Sequence, residues 1–218
     1  MADVSSGAVR LIRYVDHRLV PWRNGGGVTR EIDVAPDARG ALGYGWRLSR
    51  ATVAAPGPFS DFPRSDRTLL MLSGQALTLT VAGVKHRLLP REWLAFPGDA
   101  ATTGEPDGGP VEDLNIICDR GLVSHRLILA QAGSGFAGEP GETLLLVALE
   151  ACSVRAAGGP EALSEALLAT VAEGDTVRLD GAGRLELVSG AAALIRLWPA
   201  GEPRNAPERN CEAQSSVG

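Results

Sequence analysis

Lysine is almost missing from this chain. Of 21 basic residues only Lys85 is a lysine, and the rest are arginines. A GC-rich coding sequence accounts for that bias, since alanine and glycine are abundant too. A minority of the arginines remain candidates for anion ligands, because the guanidinium fork matches a carboxylate. No basic block is present and the formal charge is -5, so nucleic acid is not an expected partner. Cysteine occurs three times, at Cys118, Cys152 and Cys211, with no pair at metal-ligand spacing. That usage fits a reduced, cytoplasmic protein without a disulfide framework. Cys118 and Cys152 lie in apolar runs and read as inert core thiols; Cys211 lies in a polar tail. The histidines, His17, His86 and His125, are far apart and have no second ligand type nearby. His17 and His86 are expected to be solvated and His125 to be structural, so no metal is expected. No apolar run approaches the roughly 20 residues of a membrane span. Met1 to Tyr14 has no apolar leader core, which again points to a soluble, cytoplasmic protein with no membrane partner. Walker, dinucleotide and Gly-x-Ser-x-Gly patterns are also absent.

What is present is an ordinary globular composition: 218 residues, 44% hydrophobic and 22% charged. The length suits one large domain or two small intertwined ones. With 27 glycines and 14 prolines, the chain favours short strands and many turns over a helix bundle. Strands are expected at Val9–Val15, Val28–Val34, Trp46–Val53, Thr68–Leu72, Ala76–Val81, Lys85–Leu89, Trp93–Phe96, Val111–Cys118 and Val123–Ala130. A second series follows at Thr143–Ala151, Cys152–Ala156, Thr176–Leu179, Arg184–Val188 and Ala191–Trp198. One helix is expected over Pro160–Val171, from an early proline and apolar residues at 163, 167, 168 and 171. Leu72-Ser-Gly74 has a weak echo in Val188-Ser-Gly190, which hints at two similar halves. Residues 201–218 read as a disordered tail.

Polar residues inside the strands carry more information than the isolated histidines. Thr29 and Glu31 share a strand face, as do Arg47 and Ser49, and Asp113 and Asn115. If the opposite face is core, each pair points to solvent or into a barrel lumen. In a lumen, with Ser60 and Arg67 added, this set suits a small polar anion. Gly25-Gly26-Gly27 opens a strand rather than a helix, so it is no phosphate loop. It is either a sharp turn or a point of close approach to a ligand. Phe59 and Phe62 flank a loop that either plugs the barrel end or walls a ligand site.

Several of these segments together resemble the HutD/Ves family. They are Pro21-Trp-Arg-Asn-Gly-Gly-Gly-Val-Thr-Arg-Glu-Ile32, Trp46-Arg-Leu-Ser49, Gly57-Pro-Phe-Ser60 through Asp66-Arg67, Phe96-Pro-Gly-Asp99 and Asp113-Leu-Asn115. They run in order from about residue 10 to residue 200. The resemblance implies an all-β bicupin: two jelly-roll-like β-barrel cupin domains packed in one chain, with few short helices. The division expected is a first region over 1–130, with strands exchanged between halves, and a second over 131–200. It also implies a ligand-binding or regulatory accessory of bacterial histidine utilisation rather than an enzyme. The ligand class implied is a small carboxylate such as N-formylglutamate or urocanate. Asn24, Thr29, Glu31, Arg47, Ser49, Ser60, Arg67, Asp113 and Asn115 are carried over as ligand-binding candidates, with Phe62 as a wall. The histidines that hold metal in cupin enzymes are missing from Gly57–Gly74, so no metal or other cofactor is expected. Two alternatives stand beside this reading. One is a metal-free enzyme with Glu31 and Asp113 as acid and base. The other is a protein-interaction module anchored by Trp22 and Phe62. A homodimer is compatible with all three.

Overall fold

The computed structural model describes residues 8–21, 28–158 and 167–202. Asn24, Trp22, Gly25 to Gly27, Cys211 and the tail beyond residue 202 lie outside them. Among the described residues there are nineteen strands, one 3-10 turn at Tyr14–Asp16, and no α-helix.

A six-stranded antiparallel sheet runs in the order β2 (Arg18–Pro21), β3 (Val28–Pro36), β4 (Tyr44–Val53), β11 (Val111–Asp119), β6 (Ser65–Ser73), β9 (Trp93–Pro97). Facing it is a four-stranded sheet of β5 (Gly57–Pro58), β10 (Thr102–Asp107), β7 (Ala76–Val81) and β8 (Val84–Leu88). A five-stranded sheet is ordered β1 (Ala8–Ile12), β17 (Thr176–Asp180), β14 (Thr143–Ala148), β19 (Ala191–Pro199), β12 (Val123–Gln131). Its companion is a second four-stranded sheet of β13 (Gly135–Gly138), β18 (Gly183–Ser189), β15 (Cys152–Gly158) and β16 (Leu167–Val171). The first strand of the chain therefore closes the edge of a sheet built mainly from its last third.

Three core clusters define the layers. Leu69, Met71 and Val111 of the six-stranded sheet pack on Leu77, Leu79 and Val81 of its small partner. Leu144, Leu146 and Leu179 of the five-stranded sheet pack on Val154, Leu185 and Leu187. Between them, Leu48, Leu70, Leu114 and Ile116 meet Leu145, Val147 and Ile195, so the two large sheets lie face to face. Both large sheets are thus buried on both faces. The sequence of β14, Thr-Leu-Leu-Leu-Val-Ala, shows why: an unbroken apolar run suits a strand with no solvent face. Polar groups cross this seam where Arg178 pairs with Asp33 at 2.7 Å and lies 5.4 Å from the Trp46 ring centroid.

Gly74 and Gly190 make equivalent turns into β7 and β19, with φ of +103° and +82°. A Cβ at either would also lie 2.7 Å from a neighbouring side chain, Val111 or Cys152. The Ser-Gly echo therefore marks two turns that both require glycine.

Three expectations change. The helix over Pro160–Val171 is not formed in its described part: Leu167–Val171 is β16, paired antiparallel with β15. Residues 160–166 lie outside the described residues. Ala169 and Val171 alternate onto the core, and pairing with β15 overrides a weak helical period. The first strand stops at Ile12, because Tyr14 enters the 3-10 turn and its N–H donates to Asp175 Oδ1 at 2.8 Å. The strand expected to reach Ala151 ends at Ala148. Since Leu145 is fully buried in the seam, Leu145→Ala should cost about 2–5 kcal/mol. Urea unfolding should show this as a lower midpoint, and a midpoint within error of wild type would refute the packing described.

Candidate functional site

Strand register gathers the polar positions into three successive rungs on one face of the six-stranded sheet. Thr29, Ala51, Asp113 and Met71 form one rung; Glu31, Ser49, Asn115 and Leu69 the next; Arg47, Ile117, Arg67 and Phe96 the third. Leu69 and Met71 belong to the core shared with the small sheet, so this face looks into the space between those two sheets. The alternating residues Leu48, Leu114 and Ile116 face the seam instead. The polar pairs are therefore turned inward rather than to solvent.

Arg67 is the most enclosed arginine among the described residues, 5% exposed. Its Nε and Nη2 both donate to Asn115 Oδ1, at 2.8 and 2.6 Å. Asn115 Nδ2 in turn donates to Asp113 Oδ1. The other oxygen of Asp113 is buried without a partner. Burial pushes the Asp113 carboxyl up to about 7, with the Arg67 charge offsetting part of that and Glu112 adding to it. Burial lowers Arg67 to about 10, against the attraction of Asp113, so it stays protonated near neutrality. Arg47 also lowers it, which places the two guanidiniums within each other's field. Neither arginine has an ion-pair partner among the described residues, and Arg47 Nε is buried without an acceptor.

Aromatic rings take the place of counter-ions. The Arg67 guanidinium carbon lies 4.9 Å from the Phe59 centroid, 5.3 Å from Phe96 and 5.5 Å from Phe62. That of Arg47 lies 5.6 Å from Phe62 and 5.8 Å from Tyr44. Phe62 is thus shared by both cations, and such contacts hold guanidiniums without neutralising them. The loop bearing Phe59 and Phe62 is pinned by Phe59 N–H to Thr102 O and Phe62 N–H to Gly98 O, both 2.9 Å. A Cβ at Gly104 would collide with the Phe59 ring, so glycine makes room for that wall. Burial raises the Tyr44 hydroxyl above its ordinary range, and its oxygen has no partner.

Of the positions singled out from sequence, Arg47, Arg67, Asp113, Asn115 and Phe62 form one connected cluster. Ser49 lies on the rung of Asn115, and Thr29 and Glu31 line the β3 margin of the same face. Ser60 is exposed between the two phenylalanines and is not drawn in. Asn24 lies outside the described residues. Glu31 and Asp113 sit on strands separated by β4, so their backbones are two strand spacings, about 10 Å, apart. Tyr44 and Phe96 went unnoticed as site residues. Phe96 could have been found from strand pairing, since it shares the rung of Arg67. His17 is not solvated as expected but 5% exposed, edge-on to Tyr14 with ring centroids 5.3 Å apart. The 3-10 turn tucks it under the seam, where burial, then Arg50 and Arg30, lower its pKa. His125 is structural: its Nε2 lies 2.8 Å from Thr68 Oγ1.

A small cavity of about 70 Å³ opens elsewhere, toward the far end of β6, lined by Arg50, Arg91, Ser73 and Glu173 among others. Arg50 and Arg91 already pair with Glu112 and Glu150 there, at 2.8 and 3.1 Å. Arg47 and Arg67 have no such neutralisation, and for that reason the inter-sheet cluster is the better binding site. One carboxylate beside two guanidiniums is a poor donor set for a divalent metal.

The HutD family profile matches residues 14–192. The chain belongs to the HutD/Ves family. It is 38% identical over 110 residues to an uncharacterised 21.2 kDa protein of the hutC 3′ region in Pseudomonas putida, covering 50% of this chain and 57% of that one. Protein Ves of Citrobacter koseri is 36% identical over 114 residues, 50% of this chain and 59% of that one. The chain thus spans somewhat more than half the length of these curated relatives. The solved structure of HutD from Pseudomonas fluorescens, described as a formate condition, superposes with a TM-score of 0.73 at 31% identity. That match covers 89% of this chain and all of the other. At the level of fold alone, an oxalate decarboxylase variant from Bacillus subtilis superposes with a TM-score of 0.60 at 9% identity, over 88% of this chain and 77% of the other. This HutD/Ves chain is all-β and cupin-like. Among its described residues no helix is long and apolar enough to cross a membrane.

The raised carboxyl of Asp113 has a consequence for stability. A group whose pKa is higher in the folded state favours folding most while protonated, and that benefit is lost as pH rises through the folded value. Relative to Asp113→Asn, the wild type should lose stability between about pH 4 and pH 7, by up to about 1.4 kcal/mol per pH unit. Denaturant titrations of both proteins from pH 4 to 8 check this, and parallel stability curves would rule it out.

Proposed function

We propose that this chain binds a small carboxylate metabolite of the N-formylglutamate or urocanate class, without a metal, and through that binding modulates histidine catabolism in the cytoplasm. The observation that carries the reading is the pair of guanidiniums, Arg47 and Arg67, set against the same aromatic rings and without an ion-pair partner among the described residues. Like charges held together in a low-dielectric site call for an anion. Arg67 is pre-oriented by Asn115, which spares a ligand the entropy of fixing it. The four aromatic side chains around the guanidiniums, Tyr44, Phe59, Phe62 and Phe96, suit a ligand with an apolar or planar body. The hut-region context of one relative and the formate condition of another fit this ligand class.

We read the two pairs of sheets as two cupin-like units, with β1 and β12 serving the second. The ligand belongs to the first, because buried Arg67, Asp113 and Asn115 and the unpartnered atoms of Arg47 and Asp113 lie there. One chain builds the whole cluster, so a homodimer, compatible with this reading, would not complete it. Calorimetric titration with N-formylglutamate, urocanate, formate and glutamate tests the proposal. Selective binding of one of them is expected, and Arg47→Ala or Arg67→Ala should weaken it roughly ten- to a hundred-fold, the scale of a charged hydrogen bond. Unchanged affinity in both variants would sink the site assignment.

A further inference from the structure

We infer that this space takes up its ligand as an anion together with one proton, and that Asp113 holds the proton. This step rests on the carboxylate reading of the site and adds a coupling to it. Asp113 is fully buried and makes no ion pair among the described residues. Its bond is to the neutral Asn115 amide, and its second oxygen has no partner. Arg67 does not reach it directly, since both of its N–H bonds go to Asn115 Oδ1. Asp113, Asn115 and Arg67 therefore form a relay, with the guanidinium at one end and a carboxyl lacking a cation of its own at the other. A ligand carboxylate on Arg47 and Arg67 adds a second anion to the same enclosed volume. It also draws on the positive field that favours ionised Asp113. Two carboxylates sharing a dry site do not both ionise readily. Asp113 already holds its proton up to about pH 7, and an added anion moves that value higher. The balance is simple: ligand anion, ionised Asp113 and one proton from solvent give bound anion and neutral Asp113.

Other charged groups face this space. Arg47 and Tyr44 come from β4, Arg67 from β6 and Glu31 from β3. His86 shares the inward side of Leu79 at the edge of the small sheet. The inward residues Leu77, Leu79 and Val81 of β7 and Thr102 and Gly104 of β10 carry no titrating side chain. Glu112 adjoins Asp113 but points across to Arg50. Of these, His86 is the imidazole to be distinguished from Asp113 by substitution.

The test is calorimetric titration of the full chain with formate and with N-formyl-L-glutamate from pH 6 to 8.5. Each pH is run in phosphate and in Tris, buffers with different ionisation enthalpies. Carboxyls of both probes stay ionised across that range, so any proton taken up goes to the protein. Affinity should be flat below about pH 6.5 and weaken toward tenfold per pH unit above pH 7. The heats in the two buffers should differ by an amount approaching one proton per ligand at pH 8. Asp113→Asn should bind without pH dependence, and His86→Gln should keep the wild-type profile. Wild-type affinity that is independent of pH, with equal observed heats in both buffers, would overturn the proton step and leave the carboxylate reading intact. The same step fails if His86→Gln abolishes the coupling. Absence of binding at every pH would remove the carboxylate reading itself. If Asp113→Asn does not fold, the wild-type buffer series still decides.

Discussion

A sheet buried on both faces leaves its polar side chains nowhere to meet water, and that constraint governs this molecule. The five-stranded sheet meets it largely by being apolar on both sides of its central strand β14. Leu144 and Leu146 go one way and Leu145 and Val147 the other. The six-stranded sheet does so only toward the seam, where Leu48, Leu114 and Ile116 fill the contact. On its other face it keeps Arg47, Ser49, Arg67, Asp113 and Asn115, and each must find its partners inside the protein.

They find them incompletely. Asn115 satisfies Arg67 and one oxygen of Asp113, and aromatic rings cover what remains of both guanidiniums. Tyr44 Oη, Arg47 Nε and Asp113 Oδ2 are left over. A buried polar atom without a partner costs roughly 1–3 kcal/mol. Three such atoms around one space are a substantial burden for a domain to carry. In the second half, among the described residues, Val154, Leu185 and Leu187 pack on Leu146 and Leu179 across the corresponding layer with no unpartnered buried polar atom on β13, β15 or β18. The same sandwich can therefore be closed with leucine and valine. The polar set in the first half is a departure from what folding alone requires, and such departures concentrate at functional sites.

Much of this was legible from alternation alone. Trp46-Arg-Leu-Ser49 and Asp113-Leu-Asn115 announce that arginine, serine, aspartate and asparagine share a face opposite to leucine and tryptophan. Alternation could not say whether that face met water, because burial of the far side depends on a second sheet remote in sequence. The sites that escaped notice depend on the same non-local information. Phe96 joins Arg67 only through the pairing of β6 with β9. β10, Thr-Thr-Gly-Glu-Pro-Asp, has the composition of a turn, and it is a strand because β5 and β7 flank it. Leu167–Val171 carries a helical spacing on an edge that β15 claims. His17 follows an aspartate in what reads as a polar loop, yet a 3-10 turn held by Asp175 draws it under Tyr14.

The division of labour between strands and loop also constrains what the site can tolerate. Charges come from β4, β6 and β11, whose opposite faces are locked into the seam, so their backbones have little freedom to shift. The walls come from the Phe59–Phe62 loop, which borders solvent on one side, and from the buried Phe96. For the proposed carboxylate ligand, shape is therefore the property most easily retuned, through the loop, whereas charge is fixed by the sheet. Arg67 shows how tightly. Its planar fork places two N–H groups on one oxygen of Asn115 while three rings surround its faces and edges. A lysine there would keep the charge and lose both the fork and the stacking, so the two cations are not interchangeable at this position. In a chain with a single lysine, guanidinium is the expected cation on composition alone; at Arg67 the geometry requires it.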